Sequence, residues 1–152
     1  MKKTNAARYL DRLQLDYKLV EYDVDEFDLS AESVAKKVNL PPGQVFKTLV
    51  ARGDKTGVLL ACVPAGTELD LKVLALISGN KKVEMVPVKE IESLTGYVRG
   101  GVSPLGTKRR YPFYLSPSAQ ESGAASSLSI PGVCQRYWKQ PLAGSAGHPD
   151  DR

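Results

Sequence analysis

Apolar positions recur along the chain first at helical and then at strand spacing, alternating as far as Leu115. Ala6, Tyr9, Leu10 and Leu13 form one helical stripe, and Thr4 stands where an N-cap belongs, so the spacing predicts a helix from about Thr4 to Leu13. Tyr17 to Tyr22 alternates as a strand, with Tyr17 and Leu19 on one face and Val20 and Tyr22 on the other. An acidic loop with Asp23, Asp25, Glu26 and Asp28 follows. Ser30 then caps a short helix carrying Val34 and Val38 at i, i+4, which Pro41-Pro42 stops. Gln44 to Ala51 reads as a strand whose faces are Val45, Lys47, Leu49 and Phe46, Thr48, Val50. Gly53–Gly57 is a hairpin loop into the nearly all-apolar strand Val58–Val63. After the turn Pro64-Ala65-Gly66, Thr67 and Asp70 resemble a capping box opening a helix to about Ile77, with Leu71, Leu74 and Ala75 inward. Lys82–Val86 is a further strand, ended by Pro87. Val88–Leu94 is a short helix with Ile91 and Leu94 inward, and Tyr111–Leu115 is a last strand.

From Ser116 the pattern fades into Ser, Ala, Gly and Pro, which carry no periodic apolar face, so residues 121–152 are expected to form an irregular tail beside a domain spanning residues 1–120. Interleaved helices and strands, with hairpin-type loops, predict an α+β fold: a mixed, curved, partly barrel-like sheet with short helices outside. At 152 residues the chain can bury a core. The formal net charge of +4 leans toward a polyanionic partner. No apolar run is long enough for a membrane span, and the start Met1-Lys2-Lys3-Thr4 leads into polar residues rather than a leader peptide. The two cysteines, Cys62 and Cys134, have no metal spacing, which suits a reduced cytoplasmic setting. The one histidine, His148, lies in the tail, so neither a histidine-centred triad nor a zinc site can be drawn, and neither metal nor cofactor is expected.

One stretch has the composition of a site. Thr95–Gly106 holds Gly96, Gly100, Gly101 and Gly106. The Gly100-Gly101 pair can direct successive N–H groups at an anion or a polarised carbonyl. Ser103-Pro104 stiffens the chain, and Lys108, Arg109 and Arg110 follow as a basic run. A plain surface turn has the same composition. Lys47, amid apolar neighbours on its strand, is either an edge guard or an ammonium held at a pocket. Tyr22 is either a half-buried strand aromatic or a phenol that orients a ligand.

Gln44-Val45-Phe46-Lys47-Thr48-Leu49, Leu69-Asp70-Leu71-Lys72, Lys81–Met85 and Thr95-Gly96-Tyr97-Val98 with Gly100–Gly106 stand in the order and spacing of the YbaK family. That family is the free-standing relative of the editing insertion domain of prolyl-tRNA synthetase. The resemblance runs from about Thr4 to Gln120. It implies a deacylase acting on mischarged aminoacyl-tRNA, in this branch cysteinyl-tRNA-Pro, with the tRNA acceptor end and the synthetase as partners. It also implies catalytic roles for Lys47, Tyr22 and Gly101. Around these, Phe46, Thr48, Gly100, Ser103, Pro104, Lys108 and Arg109 are the expected substrate contacts. In the cysteine-specific branch the substrate's own thiol is held to attack its carbonyl. From Glu121 the chain departs from the family pattern, and the serine and aspartate of the family's pocket have no counterpart there. A non-catalytic tRNA-binding or synthetase-associated module, or an inactive truncated product, stays open as an alternative.

Overall fold

The computed structural model describes residues 4–23, 27–28, 30–116, 118, 125–130 and 133–138. Asp25 and Glu26 of the acidic loop, and residues 139–152 with His148, lie outside the described residues.

Helix α1 (Asn5–Arg12) is capped by Thr4, whose hydroxyl accepts from the Ala7 amide at 3.0 Å. Its buried face is Ala6, Ala7, Tyr9 and Leu10. Leu13, expected on that stripe, ends the helix and is exposed. Strand β1 (Tyr17–Glu21) follows, then α2 (Ala31–Lys37), capped by Ser30, whose hydroxyl accepts from the Ser33 amide. A 3-10 turn (Pro42–Gln44) leads into the long strand β2 (Val45–Gly53), and β3 (Gly57–Pro64) returns beside it. The remaining elements are α3 (Leu71–Ser78), β4 (Val83–Met85), α4 (Val88–Thr95), β5 (Phe113–Leu115), β6 (Ala125–Ile130) and β7 (Val133–Trp138). The expected capping box at Thr67 is not how α3 starts. Asp70 caps it, accepting from the Lys72 and Val73 amides, while the Thr67 hydroxyl donates to Pro64 O. Three residues of separation suit a capping box, but Asp70 sits where its carboxylate reaches two unpaired first-turn amides. Among the described residues no helix is long and apolar enough to cross a membrane.

The strands form one mixed sheet in the order β1-β7-β6-β2-β3-β5, with β4 also on β2. The β2–β6 and β3–β5 pairs are parallel and the others antiparallel. This is the α+β architecture with a mixed sheet that the alternation of patterns predicts. The irregular chain expected beyond Glu121 is corrected at two places, because 125–130 and 133–138 are strands paired with each other, with β2 and with β1. Strand pairing draws on backbone donors and acceptors, which Ser and Ala supply as well as Val does, so an apolar pattern is not required where a partner edge is available.

Strand β2 is covered on both faces. Phe46 and Val50 enter the main core with Ala6, Tyr9 and Leu10 of α1, Leu60, Cys62 and Phe113 of the sheet, and Tyr97, Val102 and Leu105 of the glycine-rich loop. On the opposite face Ala51 packs with Leu59, Ala61, Leu74, Ala75 and Val83, and Val45 with Ala35 and Ala65. Burial on both faces explains the near-continuous apolar run of β3.

Candidate active site

The edges of β2 are not equivalent. On one edge β3 accompanies it from Phe46 to Gly53. On the other, β6 pairs with Val45 and Phe46 and β4 pairs with Ala51, Arg52 and Gly53. Between them, Lys47–Val50 face no strand among the described residues, apart from one bond in which the Val86 amide donates to Val50 O at 3.0 Å. A cleft of about 380 Å³ opens at this gap. Lys47, Thr48, Leu49 and Val50 all line it. Consecutive strand side chains point to opposite faces, so a cleft touching four in a row meets the edge of the strand, not one face.

Met85, Val86, Val88 and Ile91 give the cleft an apolar side, from the end of β4 through the first turns of α4. Pro87 stands between the two elements at the N-cap position of α4, so the chain turns sharply and aims both at the gap. Arg99, Gly100 and Val102 approach from the glycine-rich loop, and Ser30 and Glu32 from the start of α2. Lys47 is half-buried, and its ammonium has no hydrogen-bond or ion-pair partner among the described residues. An ammonium on apolar surroundings, with part of its hydration removed, gains most from an anionic or carbonyl oxygen placed beside it.

The glycine-rich loop is built rigidly from inside. The Thr95 hydroxyl donates to Ile91 O at 2.8 Å and accepts from the Tyr97 amide at 3.1 Å. The Tyr97 phenol donates to Leu105 O at 2.6 Å, and the Ser103 hydroxyl accepts from the Leu105 amide at 3.1 Å. Burial pushes the Tyr97 phenol up to about 12, so it stays a neutral donor. Gly106, at φ +70°, lies against α1 so closely that a Cβ there would stand 2.9 Å from Asn5 O. Gly100, at φ +81°, is exposed at the cleft, whereas Gly101 is buried and its amide donates to Val98 O at 3.0 Å.

The expected site residues therefore divide. Lys47, Thr48 and Gly100 meet at the cleft. The Thr48 hydroxyl is paired with Cys62 Sγ at 3.1 Å, so its main chain is the part left to the cleft. Phe46, Ser103 and Pro104, expected as substrate contacts, are buried and do not line it. Gly101 does not line it either, and its N–H is engaged within the loop. Tyr22 is outside the lining, its ring 5.9 Å from the Lys37 ammonium. Lys108 and Arg109 are exposed beyond the loop, and the Lys108 methylenes lie over Gly96. Pattern reading passes over Arg99, although it stands inside the glycine stretch and directly before Gly100. It also passes over Ser30 and Glu32, whose sequence signal is only that of a helix start.

Residues 29–126 match the aminoacyl-tRNA editing domain family. A candidate Cys-tRNA(Pro)/Cys-tRNA(Cys) deacylase of Enterococcus faecalis, EbsC, is 50% identical over 122 residues, covering 80% of this chain and 74% of that protein. The chain belongs to the aminoacyl-tRNA editing domain family. A proline–tRNA ligase of Thermosipho africanus is 30% identical over 80 residues, which are 53% of this chain but 14% of the ligase. A crystal structure assigned to a trans-editing enzyme for prolyl-tRNA synthetase superposes with a TM-score of 0.72 at 26% identity, covering 90% of this chain and 87% of that one. The editing-domain match spans α2 through α4 and the glycine-rich loop, and so takes in every element that lines the cleft.

Proposed function

We propose that this editing-domain protein is a trans-acting aminoacyl-tRNA deacylase that removes a mischarged amino acid, cysteine foremost, from tRNA-Pro in the cytoplasm. The observation that carries the reading is Lys47: a cation without a partner among the described residues, lining an apolar-sided cleft in a chain half identical to EbsC. Lys47 holds the terminal ribose-phosphate by charge-assisted hydrogen bonds, and Arg99 adds a second cation on the loop side. The apolar side formed by Val86, Val88 and Ile91 receives the amino acid side chain. A cysteine thiol folded against its own ester needs positioning more than an enzyme nucleophile. The sulfur bonds to the carbonyl carbon, the ester C–O bond breaks, and the ribose hydroxyl leaves with the thiol's proton.

The test is deacylation of Cys-tRNA-Pro beside Ala-tRNA-Pro by wild type, Lys47→Ala and Lys47→Arg, with circular dichroism as the fold control. Loss of one charge-assisted contact is worth about 1.5–3 kcal/mol, so Lys47→Ala is expected to slow the reaction at least about tenfold. Lys47→Arg is expected to fail substantially as well, since a planar fork does not fill an ammonium's place. Equal rates from all three proteins would remove Lys47 from the site. Binding of tRNA by a wild type that deacylates nothing would instead favour a binding module.

A further inference from the structure

The strand edge at the cleft has polar groups of its own. Ala65 N donates to Val45 O at 2.7 Å, so the odd-numbered residues of β2 turn their main-chain groups toward β3. Even-numbered residues turn theirs the other way, as the Val86 bond to Val50 O shows. Phe46 is paired with β6 through Leu128, and Arg52 with β4 through Glu84. Thr48 is therefore the one residue of β2 whose N–H and C=O both face the gap with no strand opposite among the described residues. Its side chain is held away by the bond to Cys62.

We propose that the main chain of Thr48 reads the aminoacyl group, its C=O accepting from the α-ammonium and its N–H donating to the ester carbonyl oxygen. This rests on the deacylase reading above and names how that site recognises its substrate. An amino acid ester has a donor and an acceptor on either side of one Cα, the same arrangement that one residue offers to a neighbouring strand. Both bonds form at once only if the ligand lies as a single residue of a strand alongside β2. The N–H bond draws electron density toward the carbonyl oxygen and makes the carbon a better electrophile. Gly101 cannot take that part, because its amide is engaged with Val98 O.

The gap also sets a length. β6 closes it at Phe46, and β4 with the Val86 bond closes it at Val50. One residue fits between. A peptidyl or N-acylated ester would run its next unit into a strand already in place and would also lack the charged amine. The site therefore takes aminoacyl esters with a free α-ammonium and refuses N-acylated ones.

The experiment uses the full chain, labelled with nitrogen-15, and two non-hydrolysable probes: adenosine carrying cysteine through a 3′-amide, and the same compound N-acetylated. In the free protein the Thr48 amide should exchange with solvent far faster than the Leu49 amide, which faces β3. The free-amine probe should move the Thr48 amide proton downfield and slow its exchange. The N-acetyl probe should bind weaker by about tenfold or more. Movement of the Lys47 and Gly100 amides without Thr48, or equal affinity for both probes, overturns the edge reading and leaves the deacylase standing. If neither probe moves any cleft resonance, both readings fall together.

Discussion

A lysine in the middle of a strand means little until the neighbours of that strand are known. On sequence, Lys47 is an edge guard or a ligand group with equal grammar. The gap between β6 and β4 decides what it faces, and that gap depends on residues about eighty positions further along. Thr48 is similar: its hydroxyl attracts attention in a sequence, yet the structure gives that hydroxyl to Cys62 and leaves the main chain to the cleft. Phe46 sits beside Lys47 in sequence but inside the protein, since adjacency along a strand places neighbours on opposite faces, while Ser103 and Pro104 are buried where the glycine-rich loop packs on the core. Cys62 itself is expected to be inert. Burial pushes its thiol up to about 12, so almost none of it is thiolate at neutral pH. Peptide-resolved mass spectrometry after iodoacetamide treatment at pH 8 should find Cys62 unmodified in the native protein and modified after denaturation. Native labelling would contradict its burial.

The elements from α1 to α4 follow from alternation, caps and proline stops, and the structure keeps their bounds within a residue or two except at the start of α3, which Asp70 caps three residues beyond Thr67. The last two strands do not follow: β6 is Ser-rich and shows no apolar alternation, and β7 stands as one short run amid Gly, Pro and Ser, so their backbone pairing is invisible in composition. The β2–β3 loop shows how side chains fix an element's end. The Asp54 carboxylate accepts from the Lys81 and Lys82 amides, and Asn80 Oδ1 accepts from the Lys55 and Thr56 amides at 2.9 and 3.0 Å. The bond from the Lys82 amide, foremost, holds Asp54 below its ordinary value of 3.8. A depressed carboxylate contributes stability above the unfolded value and loses it as pH falls through the folded one. Thermal melts should therefore show Asp54→Asn less stable than wild type at pH 6, with the difference shrinking below about pH 4. A difference independent of pH would assign the loss to packing instead.

For the whole molecule, the family assignment and the site geometry come from different evidence and meet at the cleft. The basic run at Lys108–Arg110 is exposed outside it, where a nucleic acid leaving the cleft could be held by phosphate contacts alone. If it does so, Arg109→Ala should weaken tRNA binding uniformly across sequences and lower the salt slope by about one. A filter-binding series in salt with an unchanged slope would take the run out of the interface.

The pairing of β1 with β7 has a consequence for how the protein is made. Tyr17 meets Tyr137 and Glu21 meets Val133, so one of the first strands to leave the ribosome waits for one of the last. Until then the nascent chain can close β2 on β3 and on β4, all near neighbours in sequence, while the edge of β1 stays open to any other strand it meets. Assembly should accordingly be two-paced: the hairpin and the core around α1 early, the β1 side of the sheet late. Ribosome-bound chains arrested after Leu115 should show β2 and β3 amides protected from exchange and the Val20 amide, which faces Cys134 of β7, exposed, and release of the full chain should close it. Early protection of Val20 would mean that β1 finds a different partner first.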